Sequence, residues 1–416
     1  MSPAPFSYRG DELYAEDLPL AAVAEQFGTP CYVYSRAALT GAFEDYRAAL
    51  AGRDAMLCYA VKANSNLAIL NLFARLGAGF DIVSGGELAR VIAAGGDPAK
   101  VVFSGVGKTR DEMRVALRAS IHCFNVESAS ELEMLNAVAG ELGLTAPVSL
   151  RVNPDVDPKT HPYIATGLKH SKFGVPFEEA LTLYRRAQAL PHLAIRGIDC
   201  HIGSQLVDPA PAAEAAQKLL DLADRLATEG MPLAHLDFGG GMGIRYRDEK
   251  LSGAADYLAP TLALLDGRKE KLMFEPGRSL VGDAGILLTR VEVLKHGRDK
   301  NFAIVDAAMN DLLRPALYDA WHDILPVRRN RDAEQIYEVV GPVCESGDFL
   351  GHGRHLALRE GDLLAVMSAG AYGMAMSSNY NSRPRAAEVM IDGGKAQLIR
   401  RREELAQLFA LETLLP

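Results

Sequence analysis

From residue 56 to about residue 280, short apolar runs alternate with longer stretches in which apolar residues recur every three or four positions. The runs fall at 56–60, 80–83, 101–103, 121–126, 148–152, 195–201, 235–238 and 272–275, and helical spacing is found at 67–76, 87–94, 130–140, 177–190, 212–229 and 255–265. Short apolar runs separated by amphipathic helices predict parallel strands joined by crossovers. Eight such units match a (β/α)8 TIM barrel, which takes roughly 250 residues; a doubly wound open sheet is the alternative. Past residue 281 the texture changes. Segments 285–294, 301–305, 336–340, 363–367 and 388–391 read as β-strands separated by Gly, Pro and Asp turns. The predicted architecture is α/β, with a barrel over 36–284 and a mostly β domain assembled from 1–35 and 285–416. The strand-like segment 31–35 is assigned to the second domain because the barrel count is already complete.

Polar and glycine-rich residues follow the eight runs closely. Lys62 follows the first, Ser84 to Glu87 the second and Ser104 to Gly107 the third, while Asn125 and Glu127 straddle the end of the fourth. Arg151 and Asn153 end the fifth, His201 to Ser204 the sixth, Gly239 to Gly241 the seventh and Glu275 to Arg278 the eighth. In a barrel all of these lie on the carboxyl-end rim, where active sites are built.

Composition narrows the function. The chain has 416 residues, 49% hydrophobic and 23% charged, the balance of a soluble globular enzyme. A formal net charge of −9 argues against a nucleic-acid partner, and Arg328, Arg329, Arg331 and Arg400 to Arg402 read as solvated surface. The N-terminal region carries Asp11, Glu12, Glu16 and Asp17 in place of an apolar signal core, and no uncharged run is long enough for a bilayer. The five cysteines are scattered, odd in number and without a C-x-x-C pair. Reduced thiols in a cytoplasmic protein are expected, with neither a disulfide frame nor a zinc site.

Lys62, at the mouth of a buried strand, is placed to form a Schiff base from a partly desolvated amine; a solvated strand-end lysine is the plain alternative. Gly239-Gly240-Gly241 exposes backbone N–H groups suited to a phosphate, with Gly277, Arg278 and Ser204 completing the cradle, although a tight turn alone would use the same triplet. Two lookalikes fail. Gly107-Lys108-Thr109 resembles the end of a Walker A loop, but the first glycine position holds Val102, and the G-x-G-x-x-G pattern begun at Gly239 ends on Ile244. Glu275 is placed to keep a pyridine nitrogen protonated, or to pair with Arg278, and His201 to stack on a flat cofactor, or to be a core histidine.

A lysine, a phosphate cradle, a stacking ring and a pyridine carboxylate on one rim describe a site for pyridoxal 5′-phosphate. With Tyr59-Ala60-Val61-Lys62-Ala63-Asn64, His201-Ile202-Gly203-Ser204-Gln205, Gly239-Gly240-Gly241 and Glu275-Pro276-Gly277-Arg278, the chain resembles the barrel-fold pyridoxal-phosphate decarboxylases, with alanine racemase more distant. Ser104-Gly105-Val106-Gly107-Lys108-Thr109 and Cys344-Glu345-Ser346-Gly347-Asp348 resemble the diaminopimelate branch in particular. The resemblance implies that Lys62 holds the cofactor, Glu275 faces its ring nitrogen, and Ser204, Gly240, Gly241, Gly277, Arg278 and Tyr372 line it. It also implies that Arg278, Arg314 and Tyr318 grip the substrate's far carboxylate, that Glu345 pairs with its distal ammonium, and that Cys344 returns a proton. The implied reaction is meso-2,6-diaminopimelate to L-lysine and carbon dioxide. The implied assembly is a homodimer with shared sites, Cys344 and Glu345 coming from the neighbouring subunit. Ornithine or arginine decarboxylation, or a non-catalytic cofactor-binding barrel, are the alternatives. Asp81 matches a family position without a firm role, and the 155–174 loop, with His161, Lys169, His170 and Lys172, is expected to cover the site or to pass over the surface.

Overall fold

The computed structural model describes residues 4–157, 171–251 and 253–416. Most of the 155–174 loop, residues 158–170, lies outside the described residues. The chain divides into two units, residues 43–244 with 250–279, and residues 1–42, 245–249 and 280–416.

The first unit contains eight parallel strands: β1 Ala55–Ala60, β2 Gly79–Ile82, β3 Val101–Phe103, β4 Cys123–Val126, β5 Ala146–Asn153, β6 Leu193–Asp199, β7 His235–Asp237 and β8 Lys271–Phe274. Each pairs with the next, β8 pairs with β1, and the sheet closes on itself. Helices begin soon after the strands because short polar side chains cap them: Asn66 Oδ1 accepts from Ala68 N, and Ser84 and Ser128 accept from Glu87 N and Glu131 N. Thr109 and Glu112 form a reciprocal capping box. That box starts a helix, Arg110–Arg118, which the apolar periodicity did not predict. The helix buries only Met113, Ala116 and Leu117, too narrow a stripe to stand out among its charged residues.

Side chains on one face of a strand recur every second residue, so the barrel interior can be followed upward. Cys58, Val102, Cys123 and Met273 form an apolar plug, with Met56 against it. Two residues further along, β4 offers Asn125 and β8 leads to Glu275, and Asp81, Arg151, Asp199 and Asp237 are buried as well. The interior therefore changes from apolar to ionic toward the carboxyl ends. The sixth run had been expected to stay extended as far as residue 201, whereas β6 ends at Asp199 and His201 lies in the loop beyond it.

At the opposite end, the rings of His122 and His235 lie 5.2 Å apart. The second unit is built on a sheet ordered β12–β11–β10–β9–(Cys31–Ser35)–β14–β15. Here β9 is Gly285–His296, β10 Asn301–Val305, β11 Gln335–Val340, β12 Phe349–Leu356, β14 Ala387–Asp392 and β15 Lys395–Arg400, and β13 (Leu363–Val366) pairs with β9. Cys31–Ser35 sits between β9 and β14, with Val33, Ile286, Leu288, Ala365, Val389 and Ile391 in its core. A small sheet of Phe6–Arg9, Glu12–Ala15 and Leu18–Pro19 also lacked a sequence signal, its strands being four residues or shorter. Among the described residues no helix is long and apolar enough to cross a membrane.

Burial lowers the His235 imidazole from 6.5 to about 3, so folding holds it neutral. The unfolded chain binds this proton first as the pH falls, so the stability contributed at neutral pH is lost progressively between about 6.5 and 3. Replacing His235 with Gln should flatten that acid loss by roughly 2 kcal/mol, measured as denaturant midpoints at pH 7 and pH 5.

Candidate active site

Lys62 lies in a one-turn 3-10 segment, Val61–Ala63, directly after β1. The turn is pinned where the Tyr59 hydroxyl donates to the Asn64 carbonyl at 2.8 Å and Asn66 N donates to Asn64 Oδ1 at 3.1 Å. Lys62 Nζ ion-pairs with Asp81 on β2, whose side chain is 0% exposed while that of Lys62 is 37% exposed. The side chain is thus partly exposed while a fixed, buried carboxylate holds its amine at the rim. Asp81, left without a role by the sequence, is its counter-charge.

The loops after β6, β7 and β8 are stitched together. Cys200 N donates to Asp237 O, Leu206 N to Gly241 O and Glu275 N to Gly239 O, at 3.1, 2.8 and 2.7 Å. The Gln205 side chain accepts from Ile244 N at 3.2 Å and donates to Ile244 O at 2.5 Å, bracing the seventh loop from the sixth. A Cβ on Gly240 would lie 2.2 Å from the Glu275 carbonyl oxygen, and Gly241 has φ +112°, so both positions demand glycine. Gly239 N donates to Asp237 Oδ1 at 2.9 Å and Gly240 N to His201 Nδ1 at 3.2 Å. Two of the three amides therefore also brace the framework. Because His201 Nδ1 accepts, a neutral ring carries its proton on Nε2. Burial, then Arg151 and Lys62, hold that ring well below the usual imidazole range, which keeps it neutral.

Ser204 Oγ accepts from Arg278 Nε and a terminal guanidinium nitrogen at 3.4 and 3.2 Å, so the predicted partners meet. Gly277 packs near Ala60 and Ala63, beside the Lys62 turn. Glu275 is buried, and its Oε1 meets no hydrogen-bond donor among the described residues. Burial, then Asp237 and Asp81, raise its carboxyl well above the ordinary range.

Three further side chains act as supports that sequence reasoning named only as strand-end residues or lookalikes. Glu127 accepts from Gly105 N and Gly174 N, both at 2.8 Å, and lies 3.5 Å from Arg151. Arg151 also donates to the His201 carbonyl at 3.4 Å. Lys108, fully buried, gives its three protons to Gly105 O, Asn125 O and Glu131 Oε1, each at 2.7 Å. It is a saturated clamp on the third loop, which removes the remaining attraction of the Walker-like reading. Asp199 and Asp237 were missed as well. Their signal was a carboxylate inside an apolar run, a costly burial that needs a reason.

The β-rich unit carries the other candidates. Arg314 and Tyr318 open and close the short helix Arg314–Tyr318, four residues apart. Arg314 stacks 4.4 Å over the Tyr246 ring and donates to His322 Nε2 at 2.8 Å, so the His322 Nδ1–H donates to Met367 O. Tyr372 has φ +54°, a costly backbone state for a bulky residue. Cys344 follows β11, its amide donating to Asn381 Oδ1 at 2.8 Å, and Asp348 closes the same loop by accepting from Met309 N and Val343 N. Glu345 Oε1 accepts from Gly347 N at 3.4 Å. Cys31, Cys58, Cys123 and Cys200 are buried, whereas Cys344 is exposed. The packing explanation of a free cysteine therefore fits four of them and fails for Cys344.

Residues 36–282 match the family described as pyridoxal-dependent decarboxylase, pyridoxal binding domain. The chain is 62% identical over 411 residues to a diaminopimelate decarboxylase of Pseudomonas aeruginosa, covering 99% of each, and 59% identical to that of Vibrio cholerae, again covering 99% of each. It belongs to the diaminopimelate decarboxylases. Among solved structures, the diaminopimelate decarboxylase of Helicobacter pylori complexed with L-lysine superposes with a TM-score of 0.91 at 43% identity, covering 94% of this chain and 99% of that one. Three features of this diaminopimelate decarboxylase family member fit a planar pyridine with a phosphate. The Glu275 oxygen meets no donor among the described residues, the His201 ring is held neutral, and the glycine loop packs too closely on the sixth and eighth loops to carry side chains.

Gly240→Ala should displace Glu275 and cost about 2 kcal/mol or more of stability. Thermal denaturation should show the loss, and equilibrium dialysis should show weakened binding of pyridoxal phosphate.

Proposed function

We propose that this chain decarboxylates meso-2,6-diaminopimelate to L-lysine and carbon dioxide with pyridoxal 5′-phosphate, the last step of lysine synthesis. The observation that carries the reading is end-to-end similarity, at 62% and 59% identity over 99% of each chain, to proteins named for that activity. When bound, pyridoxal phosphate supplies the electron sink for the pair released as the carboxylate leaves.

The chain's own groups do the rest. Lys62, oriented by Asp81, is the amine that would hold the cofactor. Glu275 as a carboxylate holds a proton on the ring nitrogen. His201 presents a neutral, flat ring, so it adds no positive charge that would compete with the ring nitrogen. Ser204, Gly241, Gly277 and Arg278 receive the phosphate, Gly240 holds their loop in shape, and Tyr372 lines the cofactor. Arg278, Arg314 and Tyr318 receive the substrate's distal carboxylate and Glu345 its distal ammonium, which leaves the other centre to react. The Cys344 thiol holds the proton delivered to the reacting carbon.

The β-rich domain supplies these last residues, and we place the working unit in a homodimer in the cytoplasm, with Cys344 and Glu345 serving the partner's barrel. Exposure of Cys344 supports this reading, because a proton-donating thiol must be accessible. Ornithine and arginine lack the distal carboxylate that Arg278 and Arg314 would bind, so the purified protein should release carbon dioxide from meso-diaminopimelate and not from ornithine. Turnover of ornithine alone would overturn the substrate assignment. Lys62→Ala should abolish turnover, and Cys344→Ala should lower kcat by roughly 10²–10⁴-fold. Mixing the two inactive variants should restore part of the activity; no recovery after confirmed subunit exchange would rule out shared sites.

A further inference from the structure

Asp199, Asp237 and Glu275 come from the ends of three adjacent strands, and their carboxyl oxygens lie within 4.8 Å of one another, fully buried. Asp237 Oδ1 is fixed by the Gly239 amide at 2.9 Å. Asp237 Oδ2, Glu275 Oε1 and both Asp199 oxygens meet no hydrogen-bond donor among the described residues. Ionised carboxylates only accept, so three of them cannot satisfy one another unless protons lie between them.

The surroundings do not supply the missing charge. From β1 come Cys58 and, beyond it, Lys62; from β2, Asp81; from β3, the apolar Val102. From β4 come Cys123 and Glu127, and from β5, Arg151, whose Nε is 3.8 Å from Asp199 Oδ2. Lys62 is matched by Asp81 and Arg151 by Glu127. Burial keeps the Cys58, Cys123 and Cys200 thiols and the Tyr184 phenol protonated, so they add no charge of either sign.

We propose that Asp237 and Asp199 are positioning residues for Glu275: the three carboxyls share protons, and the charge on Asp237 sets the pH at which Glu275 becomes the carboxylate facing the cofactor's ring nitrogen. The inference rests on the reading of Glu275 given above. Burial, the largest influence on all three, raises Asp237 to about 7 and Asp199 and Glu275 well above the carboxylate range, in keeping with shared protons at neutral pH. Acidification fills all three carboxyls, so Glu275 loses its charge and its hold on a ring nitrogen.

Two measurements on the full-length protein test this. Infrared spectra at neutral pH should contain a buried protonated-carboxyl band that weakens in Asp237→Asn. The dissociation constant of pyridoxal phosphate, followed against pH on cofactor-stripped protein, should rise on acidification in the wild type. In Asp237→Asn that limb should move to lower pH by about one unit, roughly tenfold in affinity on the acid flank. The asparagine amide removes the Asp237 charge that raises Glu275 and can donate to it, so Glu275 stays ionised to lower pH. A folded variant with an unchanged limb and an unchanged band would overturn the proposal. So would a wild-type spectrum without a protonated-carboxyl band, or a stoichiometric metal ion in the purified protein; both hold whether or not the variant folds. Wild-type protein that binds no pyridoxal phosphate would instead sink the assignment of the site, while the infrared result would still judge the carboxyl cluster.

Discussion

Five carboxyl groups, Asp81, Glu127, Asp199, Asp237 and Glu275, are buried at the carboxyl ends of one parallel barrel, and among the described residues Lys62 and Arg151 are the cations paired with them. Isolated burial of one carboxylate is costly, and several together are sustainable only with matched cations or shared protons. That constraint organises the mouth. Asp81 fixes the Lys62 amine, Glu127 and Arg151 tie the third loop and Gly174 to the fifth strand, and the three remaining carboxyls crowd beneath the rim. The same two cations, with burial, keep His201 neutral. A polar barrel mouth of this kind contributes little to folding and is explained by the charge distribution it prepares for a ligand.

The apolar plug below supplies the stability that the mouth does not. Cys58, Val102, Cys123 and Met273 close the barrel interior, and at the amino end the buried, neutral His235 lies against the half-buried His122. Glycines do the corresponding work in the loops, where Gly240 lets the backbone of the eighth loop approach the seventh. Rigidity of these loops comes from backbone hydrogen bonds between neighbours, which leaves side chains such as Ser204 and Arg278 to define chemistry.

Much of this was legible in the sequence, for a physical reason. Parallel strands buried on both faces read as apolar runs, and the residue that follows each run must lie on the functional rim, so Lys62, Ser204, Gly240 and Glu275 could be placed together before any coordinates. Single-strand patterns with little burial were not legible: the strands of residues 6–19 are too short, and Arg110–Arg118 too charged, to rise above their surroundings. Asp199 and Asp237 hid inside apolar runs and were absorbed into strands. Spacing also could not tell which glycine amides were already taken, because Gly239 and Gly240 spend theirs on Asp237 and His201 across the loop. Cys344 stood out only through its motif, and its exposure, against four buried cysteines, supplies the physical contrast.

The decisive measurement is where the coenzyme attaches. Reduction of the protein with borohydride in the presence of pyridoxal phosphate, followed by peptide mass mapping, should place a single pyridoxyl group on Lys62, the amine held by Asp81. A group on any other lysine, or none under saturating coenzyme, would contradict the whole reading of the barrel mouth.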